Sequence, residues 1–122
     1  MVEKNVLIER TLAFAIRIVN GYKYLIDNKK EFVMSKQMLR CGTSIGANSN
    51  EAIYAQSKAD FVSKLSIALK EASETSYWLT LLYKTSYIEE DMYTSMKKDL
   101  DEIIRIIVKT IKTTRKNECS ED

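Results

Sequence analysis

The sequence predicts an all-α protein, an antiparallel up-down-up-down four-helix bundle. Three observations carry this reading. There is no proline and there are only three glycines in 122 residues. Four segments repeat their apolar residues at helical spacing, and the breaks between them are short and polar. An all-β chain would need Gly- and Pro-rich turns at roughly 8–12-residue intervals, and this composition lacks them. A chain of 122 residues makes one domain, 1–122. Long helices joined by short loops pack as antiparallel neighbours.

The first helix is expected over about 5–27 and ends in Asp27, Asn28, Lys29 and Lys30. The second runs over about 35–56. Ser57 reads as an N-cap, with Asp60 three residues on as an approximate capping box, opening a third helix over about 58–84. After Thr85 to Ile88, the acidic run Glu89, Glu90, Asp91 starts a fourth helix over about 89–116, and 117–122 reads as a flexible, solvated tail. Acids in its first turn and bases in its last would suit the macrodipole.

Apolar faces follow at about 100° per residue. The fourth helix carries Met92, Met96, Leu100, Ile103, Ile107 and Ile111, and the third carries Phe61, Leu65, Ala68, Ala72, Leu79 and Leu82, both ordinary core stripes. In the first helix, Leu7, Phe14, Ile18 and Leu25 lie on one flank and Ile8, Leu12, Ala15, Val19 and Ile26 on the other. Together they span roughly 200°, about twice what a surface helix needs. The third helix has a second stripe, Ile67, Glu71, Glu74, Trp78 and Leu81. This excess is either an unusually wide core or a subunit interface; the interface is expected, because large contiguous apolar surface rarely stays exposed on a monomer. The expectation is a homo-oligomer joined through Leu7, Phe14, Ile18, Leu25, Ile67, Glu71, Glu74, Trp78 and Leu81.

The second helix is unusual in the opposite sense. Gly42 and Gly46 lie mid-helix, where each costs about 1 kcal/mol relative to alanine, so close approach by a neighbour is expected to offset them. Around the helix, Arg40, Ser44, Asn48 and Glu51 suggest either a ligand site or a structural polar network that fixes register and subunit pairing; the network is the expectation. Lys70 and Glu74 have the spacing of a helix-surface ion pair.

No histidine is present, which removes Ser-His-Asp and Cys-His nucleophile systems and the Glu-x-x-His carboxylate metal motif. The two cysteines, Cys41 in a helical pattern and Cys119 in the tail, match no metal spacing, and Cys41 reads as a small core residue. A carboxylate cluster of Glu51, Glu71 and Glu74 without imidazole is a weak metal candidate. No enzyme activity, cofactor or metal is expected. The N-terminus MVEKNVLIER has no signal-peptide pattern, and no apolar run reaches the roughly 18 residues of a membrane span. A cytoplasmic protein without membrane association is expected.

The charge is nearly balanced, 19 basic against 17 acidic residues, but unevenly placed. Arg10 and Arg17 share one face of the first helix. Between Arg105 and Lys116 stand five bases, Arg105, Lys109, Lys112, Arg115 and Lys116, and no acid. Dipole compensation and solubility explain part of this; the functional reading is a phosphate-binding surface. A pI near 8.5 is modest for a nucleic-acid domain. Several copies of the stripe on one oligomer rim would still make a multivalent polyanion site.

The segments RCGTSIGANSNEA (40–52), SKADF (57–61) and KEASETSYWLTLL (70–82), followed by Tyr87-Ile88, resemble the four-helix bundle proteins also called 23S rRNA intervening-sequence proteins. The chain is also similar to the accessory variability proteins of diversity-generating retroelements. That resemblance implies a homopentamer, with RNA or DNA and a reverse transcriptase as candidate partners. Where the family often reads Asn-Ile-Ala-Glu-Gly, this chain has Asn48, Ser49, Asn50, Glu51 and Ala52, which implies a shared structural role for Asn48 and Glu51. The expected function is a non-enzymatic oligomeric bundle that binds nucleic acid, above all structured RNA, through basic rims. The alternative is a protein-interaction scaffold or accessory subunit, for example for a reverse transcriptase.

Overall fold

A computed structural model describes the backbone of residues 2–120 and the side chains of 4–117. Four helices follow one another: α1 Val2–Asn28, α2 Met34–Ile53, α3 Lys58–Lys84 and α4 Glu90–Ser120. Each helix packs on two others, α1 on α2 and α4, and α3 on α2 and α4. Four helices in a closed ring around one core make an all-α four-helix bundle. Cross-helix pairs set the register. Arg10 meets Glu102 while Arg17 meets Asp99, so α1 and α4 run antiparallel. Glu51 meets Lys64 while Arg40 meets Glu74, so α2 and α3 do too.

The helix boundaries have local causes. After α1 the chain wraps back, with the Glu31 N–H donating to the Leu25 carbonyl at 3.0 Å. Lys30 takes a left-handed φ of 54° at this corner. The Glu31 carboxylate then accepts from the Val33, Met34 and Ser35 N–H groups and so caps α2. Burial works against the charged form, yet these backbone donors hold the Glu31 carboxyl below its ordinary value. Ser57 caps α3 as expected, accepting from the Asp60 N–H at 3.0 Å. The α3 C-terminus is a Schellman motif: Tyr87 N–H donates to the Leu82 carbonyl and Ser86 N–H to the Tyr83 carbonyl. Ser86 holds the left-handed position at φ 68°.

Three expected boundaries change. α1 begins at Val2 rather than near residue 5. α2 stops at Ile53 rather than near residue 56, because the Tyr54 and Ala55 N–H groups turn back to the Glu51 and Ala52 carbonyls, three residues before each. α4 does not stop at 116; it continues through Ser120, so the tail expected at 117–122 is helical as far as 120, and 121–122 lie outside the described residues. As a result no base lies in the last turn of α4.

The core takes the predicted stripes of α3 and α4 almost entire, with Met92 only half-buried. From α1 it takes Leu7, Phe14, Ile18 and Leu25, each at most 1% exposed. This corrects their assignment to a subunit interface. Together with Thr11 and Gly21, which are also buried, they form an unbroken seam at 7, 11, 14, 18, 21 and 25. That alternation of four and three is the knob spacing of a bundle. In the sequence the seam is interrupted, because a threonine and a glycine do not read as core. Both are there for physical reasons. Thr11 donates its hydroxyl to the Leu7 carbonyl at 2.8 Å, so its polarity is satisfied in place. Gly21 leaves room for the methyl ends of Met92 and Met38.

Gly42 and Gly46 both face α1. A Cβ built on Gly42 would lie 2.7 Å from Ile18 carbons, whereas one on Gly46 would meet Thr11 at 3.4 Å. The close approach expected of a neighbouring helix is therefore real, and tightest at Gly42.

Candidate nucleic-acid interface and apolar flank

The outer surface of α4 carries the main concentration of unmatched charge. Arg105, Lys109, Lys112, Arg115 and Lys116 are all exposed. None of them forms an ion pair among the described residues. Arg105, Lys109 and Lys112 border a shallow strip floored by Ile104, Val108 and Thr113. At 100° per residue Lys116 continues their line and Arg115 stands about 80° to the side. Lys98, which sequence reasoning did not single out, lies one heptad before Arg105 on the same line and is exposed. From Lys98 to Lys116 the line is about 27 Å long at the helical rise. The signal that could have found Lys98 was its seven-residue offset, hidden by the neighbouring Asp99, Asp101 and Glu102.

Because α4 runs on through Ser120, these bases sit before its final turn, and dipole compensation falls off within one turn. The bland explanation of the stripe is correspondingly weaker.

Arg10 and Arg17 do not join this face. Arg10 is paired with Glu102, and Arg17 donates to Asp99 Oδ2 at 2.6 Å. They clamp α1 to α4, each with its charge matched. The sequence placed them on one helix face correctly but could not show the acids opposite.

The polar residues of α2 also regroup. Arg40, Ser44, Asn48 and Glu51 do not bond to one another through their side chains. Ser44 donates to the Arg40 carbonyl and Asn48 to the Ser44 carbonyl, both local helix bonds. Arg40 reaches across to α3, where it pairs with Glu74 and lies 3.5 Å from Glu71. Glu51 lies 3.6 Å from Lys64. Glu74 also accepts from the Trp78 indole N–H at 3.2 Å. The network is thus a seam between α2 and α3 within one subunit. It takes up Glu71, Glu74 and Trp78, which had been assigned to a subunit contact, and it takes Glu74 rather than leaving it to Lys70. Leu81 is half-buried and Ile67 40% exposed, at either end of that stripe.

Part of the apolar surface that remains outside lies on the other flank of α1, while Phe32, Val33, Tyr54 and Tyr77 are exposed elsewhere. Leu12 is 61% and Ile16 54% exposed. Beside them, Ile8, Leu12 and Ala15 with Thr43, Gly46 and Ala47 of α2 line a groove of about 280 Å³.

No three His, Cys, Asp or Glu side chains gather as a metal site among the described residues. Cys41 is buried, donates toward the Met38 carbonyl at 3.7 Å, and burial pushes its thiol pKa up. The Cys119 side chain lies outside the described residues. No described helix is long and apolar enough to cross a membrane.

A family model described as 23S rRNA-intervening sequence protein matches residues 3–109, most of the chain. The chain belongs to that family. The chain is also similar to a solved protein of unknown function from the S23 ribosomal protein family of Bacteroides thetaiotaomicron VPI-5482. The two are 56% identical, the match covers 90% of this chain and 98% of that one, and the TM-score is 0.89. Nothing among curated proteins matches the chain.

Proposed function

We propose that this chain is a non-catalytic, self-associating bundle in the cytoplasm that binds nucleic acid, above all structured RNA, along α4. The observation that carries the reading is the exposed line Lys98, Arg105, Lys109, Lys112 and Lys116, whose members form no ion pair among the described residues. A row of cations on one straight helix suits a phosphate backbone and reads shape rather than sequence. Binding driven by such a row releases counterions and weakens steeply with salt.

Filter binding of a structured RNA at low and moderate salt tests it. Changing Arg105, Lys109 and Lys112 together to Glu should abolish retention, and changing each singly to Ala should reduce the salt slope by about one. Retention unchanged by the triple variant refutes the reading.

Leu12 and Ile16 support self-association through the outer flank of α1, and the family resemblance implies five copies. The second reading, a scaffold for a protein such as a reverse transcriptase, draws on the same exposed flank. A pull-down with nuclease treatment separates the two, because a protein contact survives digestion.

A further inference from the structure

The basic line of α4 has a gap. Lys98 and Arg105 stand one heptad apart, about 10.5 Å along the axis, and Asp101 lies between them, within about 60° of both around the helix. Its carboxylate is half-exposed and faces Lys97 through Oδ1 at 3.6 Å. Lys97 is itself drawn inward, donating to the Ser76 hydroxyl at 2.6 Å. A phosphate crossing this turn would meet a half-exposed acid, so the gap suits something other than phosphate.

A shallow depression of about 420 Å³ opens at the gap, bordered by Lys98, Asp101, Arg105 and Tyr93. Two contacts fix Tyr93. Its ring lies flat on that of Tyr83, with centroids 4.5 Å apart and planes 6° from parallel. Its hydroxyl shares a hydrogen bond with that of Thr80 at 3.1 Å. The aromatic plane is therefore set before any ligand arrives, and stacking on it costs little ordering. Arg105 also borders the strip over Ile104 and Val108, so the two depressions adjoin at one cation.

Cation, aromatic ring with acceptor, then cation again is the alternation of an unpaired strand: phosphate, base, phosphate. An aromatic ring beside a basic track is how single strands are held. A duplex offers no free base to the ring, and the major groove of A-form RNA is too deep and narrow for side chains to read. A carboxylate accepts from the exocyclic amino group of cytosine, whereas uracil turns a carbonyl oxygen toward it. We infer that α4 takes an unpaired RNA segment, with phosphates at Lys98 and Arg105 and one base against Tyr93 whose amino group donates to Asp101, so that cytosine is preferred to uracil. This rests on the RNA reading above and narrows it: the row of cations holds the backbone, and the gap selects unpaired loops of a structured RNA.

Fluorescence anisotropy with labelled oligocytidine, oligouridine and an RNA duplex of the same length, at neutral pH, tests the inference. Oligocytidine should bind about tenfold more tightly than oligouridine, and more tightly than the duplex. Asp101→Ala should erase the cytosine preference by raising oligouridine affinity, a gain that a misfolded variant does not give. Tyr93→Leu should weaken oligocytidine by about tenfold with the salt slope unchanged, because stacking releases no counterions. Tyr93→Phe, which keeps the ring, should retain binding. A duplex bound as tightly as the single strands, a cytosine preference that survives Asp101→Ala, or full affinity in Tyr93→Leu overturns the inference and leaves the RNA reading standing. Binding of none of the three RNAs overturns the RNA reading itself.

Discussion

Between α1 and α2 the chain sets one carboxylate, Glu31, against three amide N–H groups that the helix itself leaves without partners. The residue is 8% exposed, so the charge is held largely away from water. Its folded-state pKa is lowered from 4.5, which means the unfolded chain takes up its proton first as pH falls. The stabilisation is therefore complete above that value and disappears as pH drops through the lower folded value. Denaturant titrations at neutral pH and at pH below 4.5 should show the wild type losing about 1 kcal/mol more than Glu31→Gln over this interval, the usual worth of a cap. An identical pH dependence in both proteins would show that Glu31 is not the cap that matters. Glu31 was not legible in the sequence as a cap. It stands four residues ahead of Ser35, and only the left-handed turn at Lys30 swings it over the helix end.

At the scale of elements, α1 and α2 make contact where Gly42 and Gly46 leave backbone bare. The two glycines look equivalent in sequence and are unequal in structure. Gly42→Ala drives a Cβ to 2.7 Å from Ile18, which is fully buried and has nowhere to retreat. The variant should lose about 1–3 kcal/mol by overpacking, more than the helix-propensity gain of about 1 kcal/mol returns. Gly46→Ala meets Thr11 at ordinary contact distance and should hold or raise stability, by up to about 1 kcal/mol. Thermal or urea unfolding of the two variants side by side checks this, and a stabilised Gly42→Ala would mean that Ile18 repacks freely. The seam between α1 and α4 is different in kind. Its ion pairs, Arg10 with Glu102 and Arg17 with Asp99, are half-exposed, so each is worth at most about 1 kcal/mol. They orient two helices that the Phe14–Ile18 core already holds together.

At the scale of the molecule, two surfaces bear on binding and assembly once the subunit has closed: a basic line on α4 and an apolar flank on α1. Leu12→Glu with Ile16→Glu should leave the helical circular dichroism signal intact, since both side chains are more than half exposed, and should convert any oligomer to monomer in light scattering. A particle mass unchanged by this double variant excludes the flank as the contact. The RNA test of the α4 line belongs to the same scale, because a multivalent rim depends on how many copies stand side by side. If the double variant is monomeric, its RNA affinity should fall more than tenfold although no basic residue has been touched, through loss of multivalency alone.

The sequence by itself determined the helical class, the number of helices, the Ser57 cap and the core stripes of α3 and α4. Each of these depends on residues close together in the chain, through spacing, turn chemistry or the absence of proline. Family membership was legible in the same way, from segments read in order. Which half of the α1 stripe faces inward was decided only by tertiary structure, because a continuous seam passes through Thr11 and Gly21, whose fitness for the core depends on what packs over them. The partners of Arg10, Arg17 and Arg40 were decided there too. A charge can be read from one position, but whether it is neutralised depends on residues dozens of positions away that folding brings alongside.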